Sequence, residues 1–123
     1  MKPIFIYSDK FLNAISWFIR VGGISIFPIV VMREKYKEPK TPDRFKRSVN
    51  VHRHETIHFR QQLEMLVIPF YVWYAIEFVI KFSIYRNYDL AYRSISFERE
   101  AYSNEAKEDY IKNRKMYNWI KLL

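Results

Sequence analysis

The apolar positions of this chain fall into blocks of different period, and the blocks predict its elements. From about Asn50 to Val67 apolar and polar residues recur at helical spacing. Pro69 kinks or breaks that helix, because it has no N–H to give and its ring crowds the preceding turn. A second helix then continues to about Tyr85. After Arg86-Asn87-Tyr88-Asp89, with Asp89 as N-cap, a third helix is predicted through Ser96–Asn104. Nearer the N-terminus, residues 10–20 read as a helix with Phe11, Ile15, Phe18 and Ile19 on one stripe, broken at Gly22-Gly23. Ile24 to Met32 reads as a strand that Pro28 demotes to an edge or bulged position, and a second short strand is expected at Ile4–Tyr7. Lys35–Arg47, with Pro39 and Pro42 among its charges, reads as a loop. The last turns, through Trp119 and Leu123, are amphipathic. The pattern predicts one α+β, mostly helical domain over residues 1–123, a helix pair with a short sheet.

Leu66–Ile84 is apolar or aromatic apart from Pro69, Glu77, Lys81 and Ser83. Glu77 and Lys81 stand at i,i+4 and are expected to pair. The uninterrupted run ends at Ile76, 11 residues in all, whereas a span needs roughly 20. The reading adopted is a core helix, with membrane-surface contact as the alternative and a true span after it. Asp9, Lys10 and Arg20 interrupt the apolar residues of the N-terminus, so no signal peptide is expected.

Composition narrows the chemistry. Aromatics are 19% of the chain and apolar residues 50%, which favours a folded core over disorder. There is no cysteine, so any metal site must be built from histidine and carboxylate, and a reducing, cytoplasmic location fits. The formal charge is +8, gathered in Arg33–Arg47 and in Lys112, Arg114, Lys115 and Lys121. Such basic faces meet anionic membranes, acidic proteins or, as the lesser expectation, nucleic acid. The C-terminal run reads as a solvated surface.

The chemistry concentrates in His54-Glu55-Thr56-Ile57-His58. Residues four apart share a helical face, so His54 and His58 can offer two imidazole nitrogens to one metal ion. Glu55 lies about 100° around the helix and can reach a metal-held water as a base without being a ligand. His52 faces away and reads as cap or surface. Gln62 shares the histidine face. A third ligand is sought downstream, where Glu98 and Glu100 point roughly 200° apart and cannot serve one site. Phe97, Glu100, Ala101 and Asn104 form one stripe, which favours Glu100 as ligand and Asn104 as the group orienting a ligating histidine. Tyr92, Arg93 and Tyr102 are candidate oxyanion donors that the sequence does not choose between.

H-E-x-x-H followed by Glu100-Ala101-Tyr102-Ser103-Asn104 resembles the gluzincins, the thermolysin-like clan of zinc peptidases. His58-Phe59-Arg60-Gln61-Gln62 is also similar to the H-x-x-Q-Q continuation seen in short gluzincin-like domains. A looser similarity runs to membrane-associated zinc peptidases of the BlaR type, which also set an apolar helix between the two motifs. The resemblance implies a minimal zincin-like domain with Zn2+ on His54, His58 and Glu100, Glu55 as general base and Asn104 behind a ligand. Asn104 stands where the clan more often has Asp, and the clan's oxyanion His or Tyr has no counterpart here. The expected function is zinc-dependent peptide-bond hydrolysis. The alternative is a non-catalytic, zinc-stabilised interaction module using its basic, aromatic surface on a membrane or nucleic acid.

Overall fold

The computed structural model describes residues 2–15 and 23–123. The protein is α+β and mostly helical, and its internal contacts divide it into two compact units, Met1–Phe59 and Arg60–Leu123.

The first unit holds a three-stranded sheet of β1 (Ile4–Tyr7), β2 (Gly23–Ile26) and β3 (Ile29–Met32), in the order β1-β3-β2. β1 runs parallel to β3, with Ile4 opposite Ile29, and β2 runs antiparallel to it, with Gly23 opposite Met32. The single strand expected over Ile24–Met32 is therefore a hairpin. A proline has no N–H for a ladder, and the chain reverses at Phe27-Pro28, joined by a cis peptide bond. β3 is the central strand and not an edge. Its Val30, Val31 and Met32 are buried, and among the described residues the edges are β1, the strand expected at these residues, and β2.

Helix α1 (Asp9–Ile15) is started by Ser8, whose Oγ accepts the Phe11 N–H at 3.2 Å. It buries Leu12 completely and leaves Phe11 41% exposed, so the stripe expected on Phe11 is displaced by one residue. Phe18, Ile19, Arg20 and Gly22, and the side chain of Ile15, lie outside the described residues.

Helix α2 runs from Pro42 to Glu64, beginning eight residues earlier than the periodicity placed it and taking up part of the expected loop. Its start is chemically marked. Thr41 Oγ accepts the Arg44 N–H at 3.2 Å, and Pro42 occupies the first helical position, where a missing N–H costs nothing. Val51 of α2 joins Val30, Met32 and Tyr36 in the core of this unit, with Phe5 and Tyr7 against it.

His52 ties that helix to the sheet. Its Nδ1 lies 2.7 Å from the Ser48 carbonyl oxygen and its Nε2 2.7 Å from the Tyr7 hydroxyl. A carbonyl can only accept, so Nδ1 carries the hydrogen and, in the neutral ring, Nε2 accepts from Tyr7. Burial raises the Tyr7 pKa, which keeps that hydroxyl a donor. The ring also lies 4.9 Å from that of Phe5. His52 is thus a structural tie, neither cap nor free surface.

In the second unit, α2 ends at Glu64, and α3 (Ile68–Tyr85), α4 (Tyr88–Ser94), α5 (Ser96–Asn104) and the single turn α6 (Tyr110–Asn113) follow. Leu66 and Val67 adopt left-handed φ angles of 58° and 67°, and Pro69 sits in the first turn of α3. The helix breaks ahead of Pro69 because the ring would collide with the turn before it. α4 is capped by Asn87, whose Oδ1 accepts the Leu90 N–H at 3.0 Å. That corrects the assignment to Asp89, which lies in the first turn. Phe70, Ile95, Phe97 and Trp119 form the core of this unit.

α3 is not the core helix that its composition predicts. By length and composition it could cross a membrane, yet only 11% of it is buried. Its inner stripe carries Phe70 and, unexpectedly, the buried Glu77. The Glu77 carboxylate accepts from the Ser96 backbone N–H, from Ser96 Oγ at 2.7 Å and from Trp73 Nε1 at 3.2 Å. It thereby caps the N-terminus of α5, where unpaired N–H groups and the helix dipole favour an anion. The expected pairing with Lys81 is not made.

His52→Leu, which keeps bulk but loses both polar ties, is expected to lower stability in urea unfolding by about 2 kcal/mol, and Tyr7→Phe by about 1 kcal/mol. A His52→Leu change within experimental error would show that the tie contributes nothing.

Candidate metal centre

Helix α2 sets His54, Glu55 and His58 on its buried side, and all three are at most 6% exposed. The two imidazoles meet edge-on, and their Nε2 atoms stand 3.1 Å apart. Two nitrogens bound to a tetrahedral zinc at roughly 2.0–2.1 Å would be separated by about 3.3 Å. The pair therefore fits one small cation in the rotamers it already holds. Glu55 turns toward β2: a Cβ added at Gly23 would lie 3.5 Å from its Oε1 and 3.1 Å from the Val31 carbonyl oxygen. Glycine permits this close approach between the start of β2, the Val31 carbonyl and that carboxylate.

The carboxylate grouped with the histidines is Glu98. Buried His54, His58 and Glu98 each offer one ligand atom, and these atoms all lie within 4.8 Å of one another. Such a group could hold a metal ion. Tyr74 donates its hydroxyl to Glu98 Oε2 at 2.7 Å, fixing the side chain from α3.

Glu100, the carboxylate expected as the third ligand, is not in this group and has its own partners. Its carboxylate accepts from Arg114, through Nε and through Nη2 at 3.0 Å, from Tyr110 at 2.7 Å and from Gln61 at 3.1 Å. Arg114 also pairs with Glu64, and the three side chains are at most 5% exposed. Burial alone would raise the Glu100 pKa. The Arg114 guanidinium and the Tyr110 and Gln61 donors outweigh it and lower the pKa. Burial and then the bond to Glu100 push Tyr110 up to about 12. Burial opposes the charge on Arg114, and its two carboxylate partners more than offset this, so its pKa is raised.

The sequence placed Arg114 on a solvated surface, and nothing in its neighbourhood marks it otherwise. Lys112, Lys115 and Lys121 are indeed exposed. Asn104 is buried, but its Nδ2 donates to the Glu100 carbonyl oxygen at 2.7 Å. Among the described residues it makes no bond to either histidine, so the orienting role expected of it is not observed. Gln61 and Gln62 are fully buried rather than a polar surface, and Gln61 also donates to the Phe97 carbonyl oxygen at 3.1 Å. The proposed oxyanion donors form a cluster of their own. Arg93 lies over the Tyr102 ring, 4.9 Å from its centroid, and Tyr92 meets that ring edge-on.

Two imidazoles and a carboxylate, all buried, define a candidate metal-binding protein with a nitrogen-rich site. Comparison with protein-family models, with curated proteins and with solved structures finds no match for the chain.

The two glutamates are expected to fail differently. Glu98→Ala should weaken zinc binding by more than about 100-fold in chelator competition, beyond the usual loss for a group behind a ligand, with the thermal midpoint of the metal-free protein little changed. Glu100→Ala and Arg114→Met should leave buried charges unpaired and cost about 3–5 kcal/mol of stability. Equal losses of zinc affinity at the two glutamates would overturn the assignment of Glu98.

Proposed function

We propose that the chain is a zinc-dependent hydrolase of peptide bonds, a small relative in design of the gluzincins that its H-E-x-x-H segment resembles. The observation that carries the reading is the buried meeting of His54, His58 and Glu98, with the two Nε2 atoms 3.1 Å apart. Two nitrogens and one oxygen at this spacing favour zinc among common divalent ions, since calcium and magnesium call for oxygen shells. Held by His54, His58 and Glu98, such an ion would supply Lewis acidity and an acidified water.

The chain's own groups supply the rest. Glu55 follows His54 on the helix and lies outside the ligand group, and a carboxylate in that position would take a proton from water and return it to the leaving amine. Tyr74 holds Glu98 through a hydroxyl hydrogen bond, which restrains the carboxylate in one rotamer. Among the described residues β2 lies at the sheet edge, and it begins at Gly23, beside Glu55. An extended peptide added to that edge would run past the base with its backbone in hydrogen-bonding register.

Glu55→Gln tests the reading. Elemental analysis should find about one zinc per chain in wild type and variant alike. Cleavage of a peptide library should fall by roughly two to four orders of magnitude in the variant. Equal cleavage by both would remove Glu55 as the base. Bound zinc with no cleavage by wild type would replace the hydrolase by a zinc-stabilised interaction module.

A further inference from the structure

We propose that α3 lies in the plane of an anionic lipid bilayer, with its outer face in the acyl layer. The helix is inverted relative to a soluble surface helix. Its two charged residues, Glu77 and Lys81, belong to the packed stripe, the first buried and the second half-buried. The outer side carries Ile68, Val72, Ile76, Val79, Ile80 and Ile84, each more than half exposed. At 100° per residue these positions and their uncharged neighbours sweep an arc of roughly 200°. No acidic or basic residue interrupts that arc. An exposed apolar surface of this extent marks a site of association.

The width and surroundings of the face select its occupant. A partner helix covers a stripe about 100° wide, so a second copy laid along α3 would leave much of the arc in water. Lipid wets all of it. The axis lies in the membrane plane because α4 packs against α3, α5 meets it through Phe97 and Ser96, and the two expose Asp89, Arg93 and Arg99. A spanning α3 would carry those charges to bilayer depth, at a cost of a few kcal/mol each. Cations border the face. Arg86 follows the helix, and exposed Lys115 and Lys121 flank the C-terminal segment whose Trp119 ring lies 6.0 Å from that of Trp73. The same segment exposes Met116 and Ile120. Apolar side chains edged by lysine and arginine match an interface of acyl chains beneath anionic headgroups. The formal charge of +8 acts in the same direction. None of this rests on the metal site.

The absence of cysteine allows a single nitroxide at Val79→Cys, with Ser103→Cys, at an exposed position of α5, as the reference. The full chain is mixed with phosphatidylglycerol–phosphatidylcholine vesicles, with phosphatidylcholine vesicles, or with buffer. Sedimentation with the anionic vesicles, increased oxygen collisions at 79 but not at 103, and equal label depth at Val72→Cys and Val79→Cys are expected. Ile76→Glu/Ile80→Glu should weaken vesicle binding at least roughly tenfold, with unchanged circular dichroism and zinc content. Failure to bind anionic vesicles would overturn the proposal. So would label–label broadening at 79 in buffer, which would assign the face to a second copy. A label deeper at 79 than at 72 would replace the in-plane helix by a span, and equal binding to uncharged vesicles would remove the role of the basic border.

Discussion

The second unit is organised by one guanidinium. Arg114 stands between Glu64, at the end of α2, and Glu100, in the middle of α5, with almost no water around any of the three. A buried cation needs its counter-charges and a buried carboxylate needs its donors, so the helices that carry them cannot turn independently. With Glu100 committed to Arg114, Tyr110 and Gln61, the opposite side of α5 is fixed as well. Glu98, two residues earlier and roughly 200° around the helix, is thereby directed away from that network. The Tyr117 backbone N–H also donates to Glu64, at 3.0 Å, so the C-terminal segment closes on the same carboxylate.

The sequence carried the histidine pair openly, because helical spacing is a local property and four residues decide it. It carried β1 and the extended character of residues 24–32 for the same reason. The choice between Glu98 and Glu100 was of another kind. The stripe of Phe97, Glu100, Ala101 and Asn104 was a true buried face, and all four are buried. Burial alone does not say whether a carboxylate meets a cation of the protein or a cation from solution. The partner of Glu100 is Arg114, distant in sequence and indistinguishable in composition from the exposed lysines beside it. The early start of α2 was missed because charges outnumber apolar residues there, although Thr41-Pro42 marks a helix start. The hairpin is not legible because a proline inside an apolar run fits a bulged strand as well as a turn.

Two glutamates two residues apart thus have different chemistry for reasons external to both. Glu100 has a permanent positive partner, which lowers its pKa and occupies its oxygens. Glu98 is oriented by the hydroxyl of Tyr74 and lies with two imidazoles. A site of this kind depends as much on where the protein's own cations sit as on the ligands themselves.

Glu77 gives α3 a fixed azimuth. Its carboxylate is inserted at the start of α5, so rolling the helix would withdraw an anion from the N–H and hydroxyl that hold it and leave those donors buried without an acceptor. The oily side of α3 therefore has no latent state in which it turns inward. The chain brings that side into water as soon as it folds, and its colloidal behaviour before it reaches any partner is set by a polar bond on the opposite side of the same helix.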